Sequence, residues 1–277
     1  MQCIEFTKMQ GLGNDFIVID ELRSTFLDRL WVDGSFAQRI CDRRFGVGAD
    51  QILWLKQPHG KGPDARMEIL NADGSQAEMC GNGIRAVAIY LNRHHFQDRL
   101  QFEIETLAGL KLVQLRGQKV TVDMGAPTLG GGFPQGESLE VMGQSLTFFE
   151  VNMGNPHAVF FEGPNLSALR LEELGPQIET HLRFPNRTNV EWVTVENSHR
   201  ISVRVWERGA GITLACGTGA CAAAVAALAT ARVKTPLEVV LPGGTLQIHW
   251  QGGSSSVQME GPAQEVFRGQ FELPASG

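Results

Sequence analysis

The sequence has no excess of basic charge: 24 Lys and Arg stand against 30 Asp and Glu, for a net charge of -6. A general nucleic-acid binder would show a basic surface, so that class is excluded, whereas a small zwitterionic ligand is not. There is no long apolar run. The most apolar stretch, Ala220 to Ala231, is short, rich in alanine and preceded by Gly217 and Gly219, and it is too short to span a membrane. Met1 to Gln10 carries Glu5 and Lys8 and lacks the apolar centre of a signal peptide, so no targeting segment is expected. No Cys-x-x-Cys pair occurs, and Cys216 and Cys221 do not share a helical face, which argues against a metal site. The five cysteines are an odd number in a chain long enough to need no staples, so free thiols in a reducing cytosol are expected.

What is present is material for a large core: 43% of the 277 residues are hydrophobic. Alternation predicts strands with one face buried at Arg99 to Thr106 (Leu100, Phe102, Ile104), Lys119 to Met124 (Val120, Val122, Met124) and Arg200 to Trp206 (Ile201, Val203, Val205). Leu237 to Trp250 predicts a hairpin around Pro242-Gly243-Gly244. Gly81 to His94 and Gly217 to Ala231 have helical composition and are apolar almost all round, which requires that protein surround them. More amphipathic outer helices are expected near Leu27 to Arg39 and Leu166 to His181.

The two buried helices open alike, on Met79-Cys80-Gly81-Asn82-Gly83 and on Ala215-Cys216-Gly217-Thr218-Gly219. This weak repetition predicts two strand-rich units, each around a central helix, with a boundary in the Gly- and Pro-containing stretch from Met124 to Glu137. The expected division is residues 1–124, residues 125–265, and a last strand in 266–277 that returns to the first domain. Units facing each other would bring both helix starts to one cleft.

A cysteine before a glycine-rich helix start lies at the positive end of the helix dipole, among unpaired N–H groups. That setting is expected to lower a thiol's pKa, and the same N–H groups suit a carboxylate. Two such thiols on opposite sides of an α-carbon can invert it, one removing a proton while the other delivers one. Packing alone explains a single Cys-Gly, but gives no reason for Cys-Gly-x-Gly at both helix starts. Cys3, Cys41 and Cys221 read as bystanders. Neither glycine-rich start has the spacing or the lysine of a phosphate loop. Asn71 to Ser75 and Asn152 to His157 are also explained by turn chemistry, and Glu207-Arg208 by a solvated pair.

Together these motifs resemble diaminopimelate epimerases: Gly11-Leu12-Gly13-Asn14-Asp15-Phe16, Asn71-Ala72-Asp73-Gly74-Ser75 running to Met79-Cys80-Gly81-Asn82-Gly83-Ile84-Arg85, Met153-Gly154-Asn155-Pro156-His157, and Glu207-Arg208-Gly209 leading to Ala215-Cys216-Gly217-Thr218-Gly219-Ala220. The resemblance runs in order from Phe6 to Gly261. It implies an α+β fold of two similar domains, each a barrel-like, mostly antiparallel sheet wrapped around a central buried helix. It also implies interconversion of LL- and meso-diaminopimelate without pyridoxal phosphate, metal or nucleotide, by a cytoplasmic homodimer serving lysine and peptidoglycan-precursor synthesis. Cys80 and Cys216 become the acid–base pair. Gly81-Asn82 and Gly217-Thr218 become carboxylate-holding steps. Asn14, Gln51, Asn71, Asn155, Asn189, Glu207 and Arg208 become further substrate contacts, and His157 lines the site. Where many members have Gly-Glu-Thr, this chain has Gly211-Ile212-Thr213.

Proline and hydroxyproline racemases also use two cysteines, but usually carry His after the first Cys-Gly, where this chain has Asn82. A related isomerase family lacks the cysteines. A thiol acyltransferase with His157 as base would leave one cysteine idle, and an amino-acid-binding protein would leave both idle. If both sulfurs meet one substrate atom, oxidation of the unliganded protein should link Cys80 to Cys216. Mass spectrometry of oxidised, inactive protein should find that link, and other pairings alone would contradict the geometry.

Overall fold

A computed structural model describes residues 2–23, 34–161 and 168–273. The chain forms two compact units. One runs up to Val122 and includes the segment from Pro262 onward; the other runs from Asp123 to Gly261.

The first unit opens with β1 (Gln2–Gly11) and β2 (Asn14–Asp20), joined through Leu12 and Gly13. Both linking residues have positive φ (57° and 83°), the twist that a two-residue hairpin loop needs. After α1 (Gly34–Cys41), β3 (Gln51–Lys56) lies parallel to β2, and β4 (Ala65–Asn71) lies antiparallel to β3. The short β5 (Gln76–Ala77) leads into α2 (Gly81–His94). β6 (Gln101–Thr106) then pairs parallel with β4, and β7 (Gly109–Arg116) and β8 (Lys119–Asp123) follow in antiparallel order.

The second unit repeats that succession. It contains β9 (Thr128–Leu129), β10 (Glu137–Val141), β11 (Gln144–Asn152), β12 (Pro156–Phe161), α3 (Ala168–Glu179), β13 (Asn189–Asn197), β14 (Arg200–Glu207) and β15 (Gly211–Thr213). α4 (Gly217–Ala229), β16 (Leu237–Leu241), β17 (Gly244–His249) and β18 (Gln258–Pro262) complete it. Its parallel steps, β12 to β13 and β14 to β16, fall where the first unit has β2 to β3 and β4 to β6. The final strand β19 (Gln264–Leu273) runs antiparallel to β1, closing the first unit's sheet around its helix.

Each sheet wraps one helix. α2 packs on β1, β2, β7 and β19, and α4 packs on β11, β12, β13, β14, β16 and β17. Ile84 and the run Ala86–Ala88 of α2 are fully enclosed, as is all of Ala220–Ala227 in α4. The alanines serve both demands of that position, because Ala has the best helix propensity and the smallest side chain that still packs. A second apolar layer lies on the outer face of each sheet. α1 covers Ile17, Ile52 and Trp54 with Phe36 and Ile40, while Leu174 and Ile178 of α3 cover Phe160, Val190 and Trp192. The strands between the layers are buried on both faces, so β3 reads as a continuous apolar run, and β13 as a largely apolar one broken by Glu191.

Of the predicted strands, Leu100 departs: it is 56% exposed and precedes β6, whose inward residues are Phe102, Ile104 and Thr106. The ladder begins one residue later, at Gln101, so the alternation overran the strand. The predicted hairpin forms with Leu241 opposite Gly244. Of the outer helices, residues 27–33 and 166–167 lie outside the described residues. Ala224→Leu, which forces a large side chain into the ring of strands around α4, is expected to cost about 1–3 kcal/mol, read as a lower urea midpoint.

Candidate active site

Both proposed catalytic cysteines are N-caps. Cys80 has extended backbone (φ −137°, ψ 112°), and the Gly83 N–H donates to its Sγ at 3.3 Å. Cys216 repeats this (φ −117°, ψ 118°), with the Gly219 N–H donating at 3.4 Å. A sulfur thus takes the place of the oxygen that usually satisfies one of the four orphan donors at a helix start. Glycine is required at the third helical position for space. A Cβ on Gly83 would approach Leu53 Cδ2 to 2.9 Å, and one on Gly219 would approach Glu191 Oε1 to 2.7 Å.

In the first unit the hairpin loop delivers Asn14 to the start of β2, beside Cys80. The Asn14 Nδ2 donates to Asp50 at 2.8 Å, which turns its Oδ1 toward the Cys80 thiol (3.7 Å) and the Asn82 Nδ2 (3.3 Å). An ionic cluster fixes Asp50: Arg43 bridges Asp15 and Asp50 at 2.7 Å each, and Lys8, buried, bonds Asp15 at 2.7 Å and also reaches the Gly48 carbonyl. Burial alone would raise the Asp15 carboxyl, but hydrogen bonds and charge from Arg43 and Lys8 outweigh it and hold it at about 2. Asn82 is enclosed and its Oδ1 accepts from Arg85 at 2.9 Å. Arg85, fully buried, also donates to the Gly81 carbonyl at 3.1 Å. Gln51 and Asn71 are cross-strand partners joined at 2.8 Å, and the buried Gln51 Oε1 has no hydrogen-bond partner among the described residues.

In the second unit Asn155, His157, Thr218 and Cys216 form one connected group. Thr218 Oγ1 lies 3.5 Å from Cys216 Sγ and accepts from Asn155 Nδ2 at 3.4 Å; Asn155 Oδ1 meets His157 Nε2 at 2.9 Å. Asn189 holds the frame, because its Nδ2 donates to the Pro156 carbonyl and its Oδ1 accepts the Arg208 N–H, both at 2.9 Å. Glu207 accepts from the Thr213 hydroxyl at 2.5 Å. The turn after Glu207 is pinned by buried Glu179, which accepts from the Trp206 indole at 2.7 Å and from the Gly209 N–H at 3.0 Å. Gly209 sits at φ 78°, where glycine alone is unstrained.

One expectation is reversed at Cys216. The helix start was expected to lower the thiol pKa, yet burial, then the charges of Glu207 and Glu191, push it well above the usual thiol range. The opposing hydrogen bonds from Thr218 and Gly219 are weaker than a full loss of solvation beside two acids. Cys41 is pushed up to about 11, again by burial first. Cys3 is exposed on β1, and Cys221 is enclosed within α4.

The sequence model of the family described as diaminopimelate epimerase matches residues 6–130 and 149–266. The chain belongs to the diaminopimelate epimerase family. A diaminopimelate epimerase from Carboxydothermus hydrogenoformans is 48% identical over 98% of this chain and all of its own length. One from Synechocystis is 45% identical over 98% of this chain and 99% of its own. Among solved structures, a Bacillus anthracis phenazine biosynthesis protein of the PhzF family superposes with a TM-score of 0.73 at 14% identity, covering 99% of this chain and all of its own. A hydroxyproline epimerase from Agrobacterium vitis gives 0.72 at 18%, covering 98% and 91%. These structural likenesses establish the shared two-domain α+β fold of this family member.

Sequence reasoning missed the supports of the site: Lys8, Asp50 and Glu179 beneath its polar residues, and Glu191 beneath His157. The available signal was an acid within an otherwise apolar stretch, Val190-Glu191-Trp192-Val193. Because the Asp15 carboxyl is depressed in the folded state, its stabilising contribution is full above its ordinary 3.8 and is lost as pH falls through about 2. Acid unfolding of Asp15→Asn should lack that part of the pH dependence; an unchanged acid profile would contradict the cluster's role.

Proposed function

We propose that this protein interconverts LL- and meso-diaminopimelate without a cofactor, with Cys80 and Cys216 as the two proton-transferring groups. The observation that carries the reading is the duplicated cap: a cysteine sulfur accepting a glycine N–H at the start of each buried helix. It occurs in a chain nearly half identical, along its whole length, to a named diaminopimelate epimerase.

The chemistry follows from those parts. One sulfur, as thiolate, takes the α-proton on one face of the substrate carbon, and the other, as thiol, gives its own proton to the opposite face. After one turnover the two have exchanged protonation states, so the reverse reaction uses the same groups. Burial and the acids beside Cys216 favour its thiol form, which suits it to be the resting proton donor. The helix-start N–H groups at Gly81-Asn82 and Gly217-Thr218 are the donors for the α-carboxylate, and they oppose the enolate-like charge of the transition state.

The remaining polar residues recognise the substrate. Arg208 offers a planar fork suited to a distal carboxylate, and Glu207 an acid for a substrate ammonium. Asn14, Gln51, Asn71, Asn155, His157 and Asn189 complete the polar lining. Gln51 Oε1, buried without a partner among the described residues, is an acceptor open to a substrate N–H. A homodimer working in the cytoplasm, in lysine and peptidoglycan-precursor synthesis, belongs to the same reading and draws on the family. No helix among the described residues is long and apolar enough to cross a membrane.

Reduced protein incubated with LL-diaminopimelate in deuterium oxide should yield meso product carrying α-deuterium, followed by NMR. Cys80→Ala and Cys216→Ala should each lower turnover by at least about a thousandfold, since each removes one of two obligatory proton carriers. Retained turnover in either variant would end the two-base reading, and exchange with proline instead would reassign the substrate.

A further inference from the structure

The two helix starts are alike, but the strands beneath them are not. In the first unit Phe16 of β2 pairs with Gln51 of β3, and two residues along β3 Leu53 packs under the Cys80 cap. In the second unit the same register positions hold His157 opposite Asn189, and two residues along β13 Glu191 lies under the Cys216 cap. An apolar Phe–Leu floor in one unit is thus an ionisable His–Glu floor in the other. Packing does not demand the polar version, since the first unit builds the same cap on the apolar one.

The His–Glu floor is also costly. Both side chains are fully enclosed, and Glu191 Oε2 has no hydrogen-bond partner among the described residues. A buried acid with an unsatisfied oxygen calls for an explanation beyond stability. Its geometry supplies one. Glu191 Oε1 meets His157 Nδ1 at 2.7 Å, and His157 Nε2 meets the Asn155 carbonyl oxygen at 2.9 Å. An amide oxygen only accepts, so Nε2 carries a proton; Asn155 then turns its Nδ2 to Thr218, leaving the Thr218 hydroxyl hydrogen for Cys216. Burial, with the charge of Glu207, raises the Glu191 carboxyl against the lowering effect of His157.

We infer that Glu191 is a positioning residue for the reaction: it fixes the ring and protonation of His157, and through Asn155 sets the donor that Thr218 presents beside Cys216. This rests on the proposed epimerase reading only in that the oriented group serves substrate turnover. Cys80 is instead approached through Asp50 and Asn14, so the two cysteines are supported by different side chains.

The test uses the exchanges that the protein itself displays between its units: Glu191→Leu, His157→Phe, the double variant, and Glu191→Gln as the near-isosteric control. Glu191→Leu should lower kcat by about ten- to a hundredfold with KM changed far less, the range seen when a carboxylate that orients a histidine is removed. Glu191→Gln should recover part of that loss. In the His157→Phe background Glu191→Leu should have no further effect, because the acid acts through the ring. Nitrogen-15 and proton NMR of the histidine rings should show a low-field His157 N–H signal in the parent protein, moved upfield in Glu191→Gln and absent in Glu191→Leu. Additive losses in the double variant, or a His157 signal indifferent to Glu191→Gln, would overturn the inference. The ring spectrum needs no turnover. A parent protein inert toward diaminopimelate, with a His157 signal that depends on Glu191, would therefore defeat the epimerase reading and keep the placement of Glu191.

Discussion

The first turn of any helix carries N–H groups with no partner in the helix, and a helix wrapped by a sheet needs partners for them. In this protein that constraint shapes the surroundings of both cysteines. Each sheet wraps its helix closely enough to enclose the alanine and valine side chains. A cysteine sulfur accepts one N–H in each unit, and a glycine at the third position keeps the approach open. The cap that meets this folding demand also puts a thiol at the start of each helix.

The second unit shows how far the surroundings can override that local preference. A helix dipole and two hydrogen bonds favour a thiolate at Cys216, but desolvation and the nearby acids weigh more. The effect comes from residues distant in sequence, on β13 and at the end of β14, brought under the cap by sheet register. The first unit keeps the same backbone plan with Leu53 in that place. Duplication of the architecture has not meant duplication of the electrostatics.

Much of this was legible in the chain alone. The all-round apolar character of Gly81 to His94 and Gly217 to Ala231 declared buried helices, observed as Gly81–His94 and Gly217–Ala229, and Cys-Gly-x-Gly at both starts declared a repeated chemical unit. The alternation in Lys119 to Met124 and Arg200 to Trp206, and the Pro242-Gly243-Gly244 turn, declared strands around them, observed as Lys119–Asp123, Arg200–Glu207 and the Leu241–Gly244 hairpin. These features are local: periodicity, capping and turn chemistry act over a few residues and leave their mark in the order of side chains. The candidate site residues from Asn14 to Thr218 were implied by the family resemblance of the motifs that hold them.

What tertiary structure decided was the company those residues keep. Strands buried on both faces show no alternation, so nothing in Val190-Glu191-Trp192 told which side Glu191 takes; the register of β12 against β13 did. Lys8, Asp15, Arg43 and Asp50 join into one cluster only because β1, β2 and the segment before β3 meet in the sheet. Leu100 shows the complementary failure, an apolar residue left outside because the ladder starts after it. Sequence by itself determined which segments are helix, strand and cap, since those choices rest on neighbouring residues. The protonation preferences and the orientation of the polar side chains were settled by folding, because desolvation and charge depend on everything within a few ångströms, whatever its place in the chain.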